Sequence, residues 1–434
     1  RYSLQDIPDP NLYRDVYPYD DIPKIAFNHR RVPISMPEDV WITDTSFRDG
    51  QQSMAPYTVK QIVDLYKLLS RLGGPYGIIR QTEFFIYSQK DRKAVEKCME
   101  LDLKFPEITT WIRASKEDFR LARDLGIKET GILVSCSDYH IFKKMKMTRQ
   151  QCLDYYLGTI KDAFNAGVIP RCHLEDITRA DFYGFVVPFV NELQALSREA
   201  GIPVKIRACD TMGYGVPYTE VALPRSVPGI IYGLQHYSDV PSEMLEWHGH
   251  NDFYKAVANA STAWLYGACA VNCSLLGIGE RTGNVPLEAM VFEYASLRGS
   301  MDGMETLGVI FAKNLNLSIG NFVMIFNVIL YLTIGIINTS FVFNRIIRSD
   351  LNNDSCWIEN DYLTYLDSTH GEFETSTLDL SFLWLFGLRC HNRFIIFVKD
   401  NFCIVNSLGY VTKNIKCNLW SHIEELSVLT NTEG

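Results

Sequence analysis

Residues 38–305 predict an α/β fold, a closed (β/α)8 (TIM) barrel. An N-terminal extension (1–37) precedes it, and a C-terminal segment of unassigned fold (310–434) follows. Three observations carry this expectation. Eight short apolar, β-branched runs alternate with longer helical patterns. Strict βα alternation requires a parallel sheet. Eight units in about 265 residues match the usual size of a closed barrel, ~250 residues. A doubly wound open sheet is the runner-up.

The runs follow in order. VWITD (40–44) leads to YTVKQIVDLYKLLSRLGG, whose apolar residues recur every three or four positions before a Gly stop. IIRQTEFF (78–85) and EITTWIR (107–113) come next, and SKEDFRLARDLG opens on Ser-x-x-Asp and closes on Gly, as a capped helix does. ETGILV (129–134), VIPRCHL (168–174), PVKIRAC (203–209), MLEWH (244–248) and ACAVNCSL (268–275) complete the set. RQQCLDYYLGTIKDAFNAG and DFYKAVANASTAWLYG supply helices between them.

Functional residues of such a barrel gather at the C-terminal ends of the strands. The polar residues here do so. Asp44 and Arg48-Asp49 follow strand 1, Glu83 lies in strand 2 and Arg113 ends strand 3. Ser135, Ser137, Asp138 and His140 follow strand 4, with His173 and Glu175 at strand 5 and Asp210-Thr211 after strand 6. His248-Gly-His250-Asn251-Asp252 ends strand 7, and GIGERTGN (277–284) follows strand 8.

His248 and His250 are two apart, so on an extended strand end both imidazoles face one point. Asp49 adds a hard oxygen donor, and strands 7, 8 and 1 are neighbours in a closed barrel. This set suits a divalent catalytic ion such as Zn, Mn, Mg or Fe. The plainer alternative is a loop pair of histidines holding no metal. Cys172 and Cys209 read as buried packing residues. His173 and Asp44 are open to a structural or a functional role.

A net charge of −9 argues against a general nucleic-acid binder. Eleven Cys without a CxxC pair fit reduced thiols and a cytoplasmic protein. The first 40 residues are polar and Pro-rich, with no signal-peptide pattern. All 17 Pro lie at or before Pro286, and residues 310–434 hold one Ala and 15 Asn against 8 Asn in 1–309. The usage shift sets a boundary near 305–315. Residues 321–343 are long and apolar enough to be weighed as a membrane span, with Asn327 and Asn338 against it. An unrelated or mistranslated extension is a further expectation for the tail.

DTSFRDGQQ, HGHND and GIGERTGN, in this order and spacing, resemble the group of 2-isopropylmalate, homocitrate and Re-citrate synthases. These are metallolyase-superfamily enzymes with an Asp-Arg-Glu site on a TIM barrel. IIRQTEFF and WLYGACAVNCSLLGIGERTGN are most similar to the Re-citrate synthase branch. The resemblance implies Asp49, His248 and His250 as metal ligands, with Asn284 a further contact. It implies Arg48 as stabiliser of the enolate or oxyanion, supported by Glu83. Arg113 would clamp a second carboxylate, Thr211 would bond the 2-oxo acid, and Glu175 and His140 are further site candidates. The implied reaction is a Claisen condensation of acetyl-CoA, the co-substrate, with oxaloacetate, 2-oxoglutarate or 2-oxoisovalerate, followed by thioester hydrolysis. A homodimer is also implied.

Two departures stand out. Gln51 occupies a place where the group usually has Glu. Residues 310–434 show no match to the group's helical subdomain, and His370, His391 and His422 are tied to no role; this raises a barrel impaired in condensation. A 3-hydroxyacyl-CoA lyase is a rival, but GIGERTGN lacks the Cys that those lyases carry. A biotin-dependent carboxyl transferase domain and a non-catalytic metal-binding scaffold are the others.

Overall fold

The computed structural model describes residues 2–304, apart from 19 and 114, and short strands between 355 and 402. The chain divides into two compact units, Arg1–Thr306 and Leu307–Gly434.

The first unit is the barrel. Its strands are β1 (Trp41–Asp44), β2 (Ile79–Phe84), β3 (Glu107–Ile112), β4 (Glu129–Ser135), β5 (Ile169–Glu175), β6 (Lys205–Asp210), β7 (Leu245–Gly249) and β8 (Ala270–Cys273). They close in sequence order, and β1 pairs in parallel with both β2 and β8. Helices α1 (Val59–Gly73), α2 (Gln89–Met99), α3 (Lys116–Asp124), α4 (Arg149–Asn165), α5 (Val187–Ala200), α6 (Val227–Ser238), α7 (Ala256–Tyr266) and α8 (Leu287–Arg298) alternate with them. The helix starts are written locally. Thr58 with Gln61, and Thr148 with Gln151, form complete capping boxes, while Ser88 and Ser115 accept from the third amide.

Strand parity separates two interiors. Ile132, Val134, Cys172, Leu174, Ile206, Ala208 and Trp247 point outward and are sealed beneath the helices with Leu69, Phe119, Ile160, Leu193 and Trp264. This layer is the apolar core. The alternate residues point inward, and there the barrel is charged. Arg171 donates to Glu83 (2.7 Å), Glu129 (2.8 Å) and Gln81 (2.9 Å). Arg207 bridges Glu246 (2.7 Å) and Glu83 (3.1 Å), and Lys205 holds Glu129 (2.5 Å). The cations Arg171, Arg207 and Lys205 thus balance the carboxylates Glu83, Glu129 and Glu246. Burial pushes the Glu246 carboxyl up, but Arg207 and Arg171 outweigh it and hold it down at about 2. Gly131 makes room for this layer, since a Cβ there would lie 2.5 Å from His173 Nε2.

The N-terminal extension runs across the loops at the barrel's C-terminal end. The Asn11 amide donates to Asp138 (2.7 Å), Tyr17 Oη to the Thr178 carbonyl (2.7 Å), and Arg225 to the Pro23 carbonyl (3.2 Å). It therefore joins the loops after β4, β5 and β6.

In the second unit, β9 (Ser355–Cys356), β10 (Tyr365–Asp367) and β11 (Glu372–Glu374) form an antiparallel sheet. Two further short antiparallel pairs link Leu378–Asp379 with Arg389–Cys390, and Phe397–Val398 with Asn401–Phe402. The stretch 321–343 and His370, His391 and His422 lie outside the described residues. Among the described residues no helix is long and apolar enough to cross a membrane.

Candidate active site

Strand β1 ends on Asp44, which accepts from the Ser46 amide (3.1 Å) and hydroxyl (2.5 Å) and from Thr82 Oγ1 on β2 (2.6 Å). Asp44 is thus structural: it pins the single π-helical turn Ser46–Gly50 that carries Arg48 and Asp49 over the barrel mouth. Gly50 is not required by crowding there, since a Cβ at that position would come no closer than 3.7 Å to a neighbour. Arg48 pairs with Asp49, and the two side chains are 12% and 3% exposed. The Arg48 guanidinium lies 4.3 Å from the Trp111 ring centre, a cation–π contact that fixes its plane. Gln51 is explained by packing. Its Oε1 accepts from the Tyr57 amide (2.9 Å) and Lys90 (3.1 Å), while its Nε2 donates to the Phe47 carbonyl (2.5 Å). A Glu would lose that last donor.

Strand β7 brings His248 and His250 to the same mouth. His248 Nδ1 lies 2.7 Å from Asn272 Oδ1, so Nδ1 carries the proton and Nε2 presents a lone pair. His248 Nε2 is 3.2 Å from His250 Nε2 and 3.8 Å from Asp49 Oδ2. Burial, then the neighbouring His248, push His250 down to about 3, so its imidazole is neutral at physiological pH. Asn284 donates to Asp49 Oδ2 (3.0 Å) from the glycine-rich turn after β8. A Cβ on Gly279 would sit 2.2 Å from Asn284 Oδ1, which explains that glycine.

Four of the expected residues therefore converge: Asp49, His248, His250 and Asn284. Asn284 Oδ1 and His250 Nδ1 are buried with no hydrogen-bond partner. Neutral imidazoles, a carboxylate and an orphaned amide oxygen make a donor set that fits a small divalent cation. Among the described residues, no group of three or more His, Cys, Asp or Glu is already arranged to hold a metal ion. Asp49 is engaged by Arg48, and a bound cation would have to draw it away.

Other expectations need correction. Glu83 does not support Arg48: its carboxylate is taken by Arg171 and Arg207, because it lies one layer deeper in the barrel. It also accepts from Thr45 Oγ1 (3.3 Å). Arg113 is not aimed at the cluster. β3 ends at Ile112, and the next residue swings out to Asp118 in the first turn of α3 (3.1 Å) and over Tyr87, leaving its side chain 71% exposed. Arg113→Ala is accordingly expected to leave the KM for each 2-oxo acid within about threefold of wild type, since exposed pairs contribute little; a selective rise for dicarboxylates in a thiol-release assay would restore the clamp. Thr211 Oγ1 already accepts from the Asp176 amide (2.8 Å), so it ties the β6 loop to the β5 loop. His173 is a neutral buried acceptor beside Arg171 (3.4 Å). Cys172 and Cys209 are buried free thiols.

Glu175 and His140 do come together. His140 Nδ1 lies 2.9 Å from Glu175 Oε2, which also accepts from Ser135 Oγ (2.6 Å) and Lys144 (3.3 Å).

Sequence reasoning missed Trp111, Asn272, Arg207 and Glu246. A chain of contacts runs from Arg207 to Glu246, Thr43, Asn272 and His248. The signal was the period-2 spacing of polar residues inside the strands, as in Glu246-x-His248-x-His250 and Arg171-x-His173-x-Glu175.

Fold and cluster together define the class: parallel (β/α)8 barrels that present an Arg-Asp pair and a His-x-His pair at the C-terminal face. Residues 39–314 match the HMGL-like family model, and the chain belongs to that family. It is 62% identical over 304 residues to a citrate (Re)-synthase of Clostridium kluyveri, covering 70% of this chain and 67% of that protein. It is 56% identical over 306 residues to a citrate (Re)-synthase of Syntrophus aciditrophicus, covering 70% of this chain and 49% of that protein. A 2-phosphinomethylmalate synthase of Streptomyces hygroscopicus is 39% identical over 294 residues, covering 67% of this chain and 66% of that protein.

Proposed function

We propose that the chain joins the acetyl group of acetyl-CoA to a 2-oxo acid, hydrolysing the thioester, and that oxaloacetate is the preferred acceptor. The convergence of Asp49, His248, His250 and Asn284 beside Arg48 carries this reading. The similarity to two citrate (Re)-synthases supports the choice of acceptor. A divalent ion (Zn, Mn, Mg or Fe) held by Asp49, His248 and His250, with Asn284 Oδ1 as a further donor, would polarise the ketone of the 2-oxo acid.

The chain's own groups do the rest. Arg48, held flat by Trp111, places guanidinium donors where negative charge develops on the acceptor oxygen. Asn272 fixes the His248 tautomer, and Glu83 holds Arg207 in the chain that leads to Asn272. Thr211 sets the β6 loop at the mouth. The lyase alternative is not favoured. Cys269 and Cys273 are buried, and burial pushes both thiols up, Cys269 to about 12. The proposal includes a homodimer in the cytoplasm, with which the buried free thiols accord.

Thiol release from acetyl-CoA, measured with oxaloacetate, 2-oxoglutarate and 2-oxoisovalerate with and without chelator, tests it. Oxaloacetate is expected to give the highest kcat/KM, and chelator to abolish turnover. Metal bound by the chain without release from any acceptor would favour the scaffold reading.

A further inference from the structure

A cavity of about 300 Å³ opens between the N-terminal extension and α6. Residues 28–32 of the extension form one wall; Tyr183, the loop before α6 and the first turns of α6 form the other. None of its lining residues belongs to the cluster at the barrel mouth. We propose that this cavity binds a small aromatic monocarboxylate, with Arg30 taking the carboxylate and the surrounding tyrosines taking the ring.

Backbone pairing builds the cavity. Phe27 forms an antiparallel bridge with Val221. The Asn28 amide donates to the Glu220 carbonyl (2.9 Å), and the Ala222 amide donates to the Ala26 carbonyl (2.8 Å). The extension thus lies strand-like along the loop before α6. Just past this bridge, Arg30, Arg31 and Val32 border the same space as Ser226, Gly229 and Tyr232. A ligand there would touch the extension and the barrel at once.

Charge decides the sign of the ligand. The charged residues of the lining are Arg30, Arg31 and Glu220. Arg31 pairs with Glu220. Arg30 donates instead to the Tyr183 hydroxyl and meets no carboxylate among the described residues. One positive charge is therefore left over. That excess suits a monoanion better than a phosphate dianion. The planar fork of an arginine matches a carboxylate. The start of α6 does not compete for the anion, because its amides are in use. Pro228 has none, Gly229 donates to Ser226 Oγ (3.0 Å) and Ile230 donates to the Ser226 carbonyl (2.9 Å).

The rest of the wall selects a ring. Tyr237 lies 6.0 Å from Tyr183 and 6.2 Å from Tyr232 between ring centres. His236 stacks on Tyr232 at 3.8 Å, which fixes that ring from behind. Val221 and Leu223 add apolar surface. Clustered phenol rings offer faces and edges to a planar guest. The volume stands at the lower end of the range for small-ligand sites, roughly 300–1,000 Å³. It suits one ring or a fused pair with a short acid arm.

Titration calorimetry of the full chain with indole-3-acetate tests the assignment, first without and then with acetyl-CoA and oxaloacetate. One equivalent is expected to bind with a Kd of about 1 mM or tighter, unchanged by the two substrates. Hydrogen exchange at the Asn28 and Ala222 amides is expected to slow on binding. Arg30→Gln is expected to weaken binding at least about tenfold, and Tyr232→Ala about three- to tenfold. Arg30 is exposed, so its variant should keep the wild-type melting temperature without ligand; Tyr232→Ala supplies a second, independent reading. Absence of saturable binding, or binding by Arg30→Gln within about twofold of wild type, overturns the site. Displacement by acetyl-CoA or oxaloacetate overturns it too, since the probe would then lie at the mouth. Tighter binding of adenosine monophosphate than of indole-3-acetate overturns the monocarboxylate assignment.

Discussion

Arg207→Met is expected to lower the melting temperature by about 10 °C, because breaking a buried ion pair from one side costs about 3–5 kcal/mol. Arg207 is 1% exposed and serves both Glu246 and Glu83, so its loss leaves these two buried carboxylates sharing the guanidinium of Arg171. Arg123→Ala is the control, since Arg123 pairs with the exposed Asp124 and such pairs contribute roughly 0–1 kcal/mol. The pH dependence follows from the same layer. The Glu246 carboxyl is depressed to about 2 in the folded state from its ordinary value of 4.5. Its stabilising contribution is therefore complete above pH 4.5 and is lost as pH falls toward 2. Without Arg207 that loss moves to higher pH. Calorimetry at neutral and acid pH checks both effects; a melting temperature within about 2 °C of wild type would mean that Arg171 alone neutralises the layer.

His250→Ala is expected to abolish stoichiometric divalent-metal binding and, with it, turnover. His250 is buried beside His248, with Nε2 atoms 3.2 Å apart, so its removal takes away one of the two imidazoles of the cluster. Asn272→Ala should act more gently, weakening metal binding by about 10–100-fold, as loss of a group behind a ligating histidine does. Metal content after dialysis, read by elemental analysis alongside thiol release, separates the two. Full metal occupancy in His250→Ala would show that the cluster is not the metal site.

The barrel is legible because βα alternation writes itself as period-2 runs between capped 3.6-period stretches. Strand 5, expected at 168–174, occurs at Ile169–Glu175; strand 8, expected at 268–275, occurs at Ala270–Cys273. The convergence of Asp49 with the histidines is legible too, since strands 7, 8 and 1 must be neighbours in a closed barrel. What is not legible is who holds whom across the lumen. Glu83 meets Arg171 and Arg207, 88 and 124 positions away, and nothing local distinguishes those partners from Arg48. Arg113 shows the opposite failure: one residue past the strand end, Asp118 in the first turn of α3 decided its direction.

The N-terminal extension has a consequence for the order of folding. Its contacts with Asp138, Thr178 and Arg225 span 127, 161 and 202 positions, whereas β4, β5 and β6 pair with one another across single βα units. Closing loops of that length is entropically slow and needs the loops after β4, β5 and β6 to exist first. The Asn11 amide should accordingly gain protection later than the amides of β4–β6 in pulsed hydrogen exchange, and simultaneous protection would contradict this order. On this account the mouth that holds His140 is finished last: a newly made barrel is shaped before it is competent.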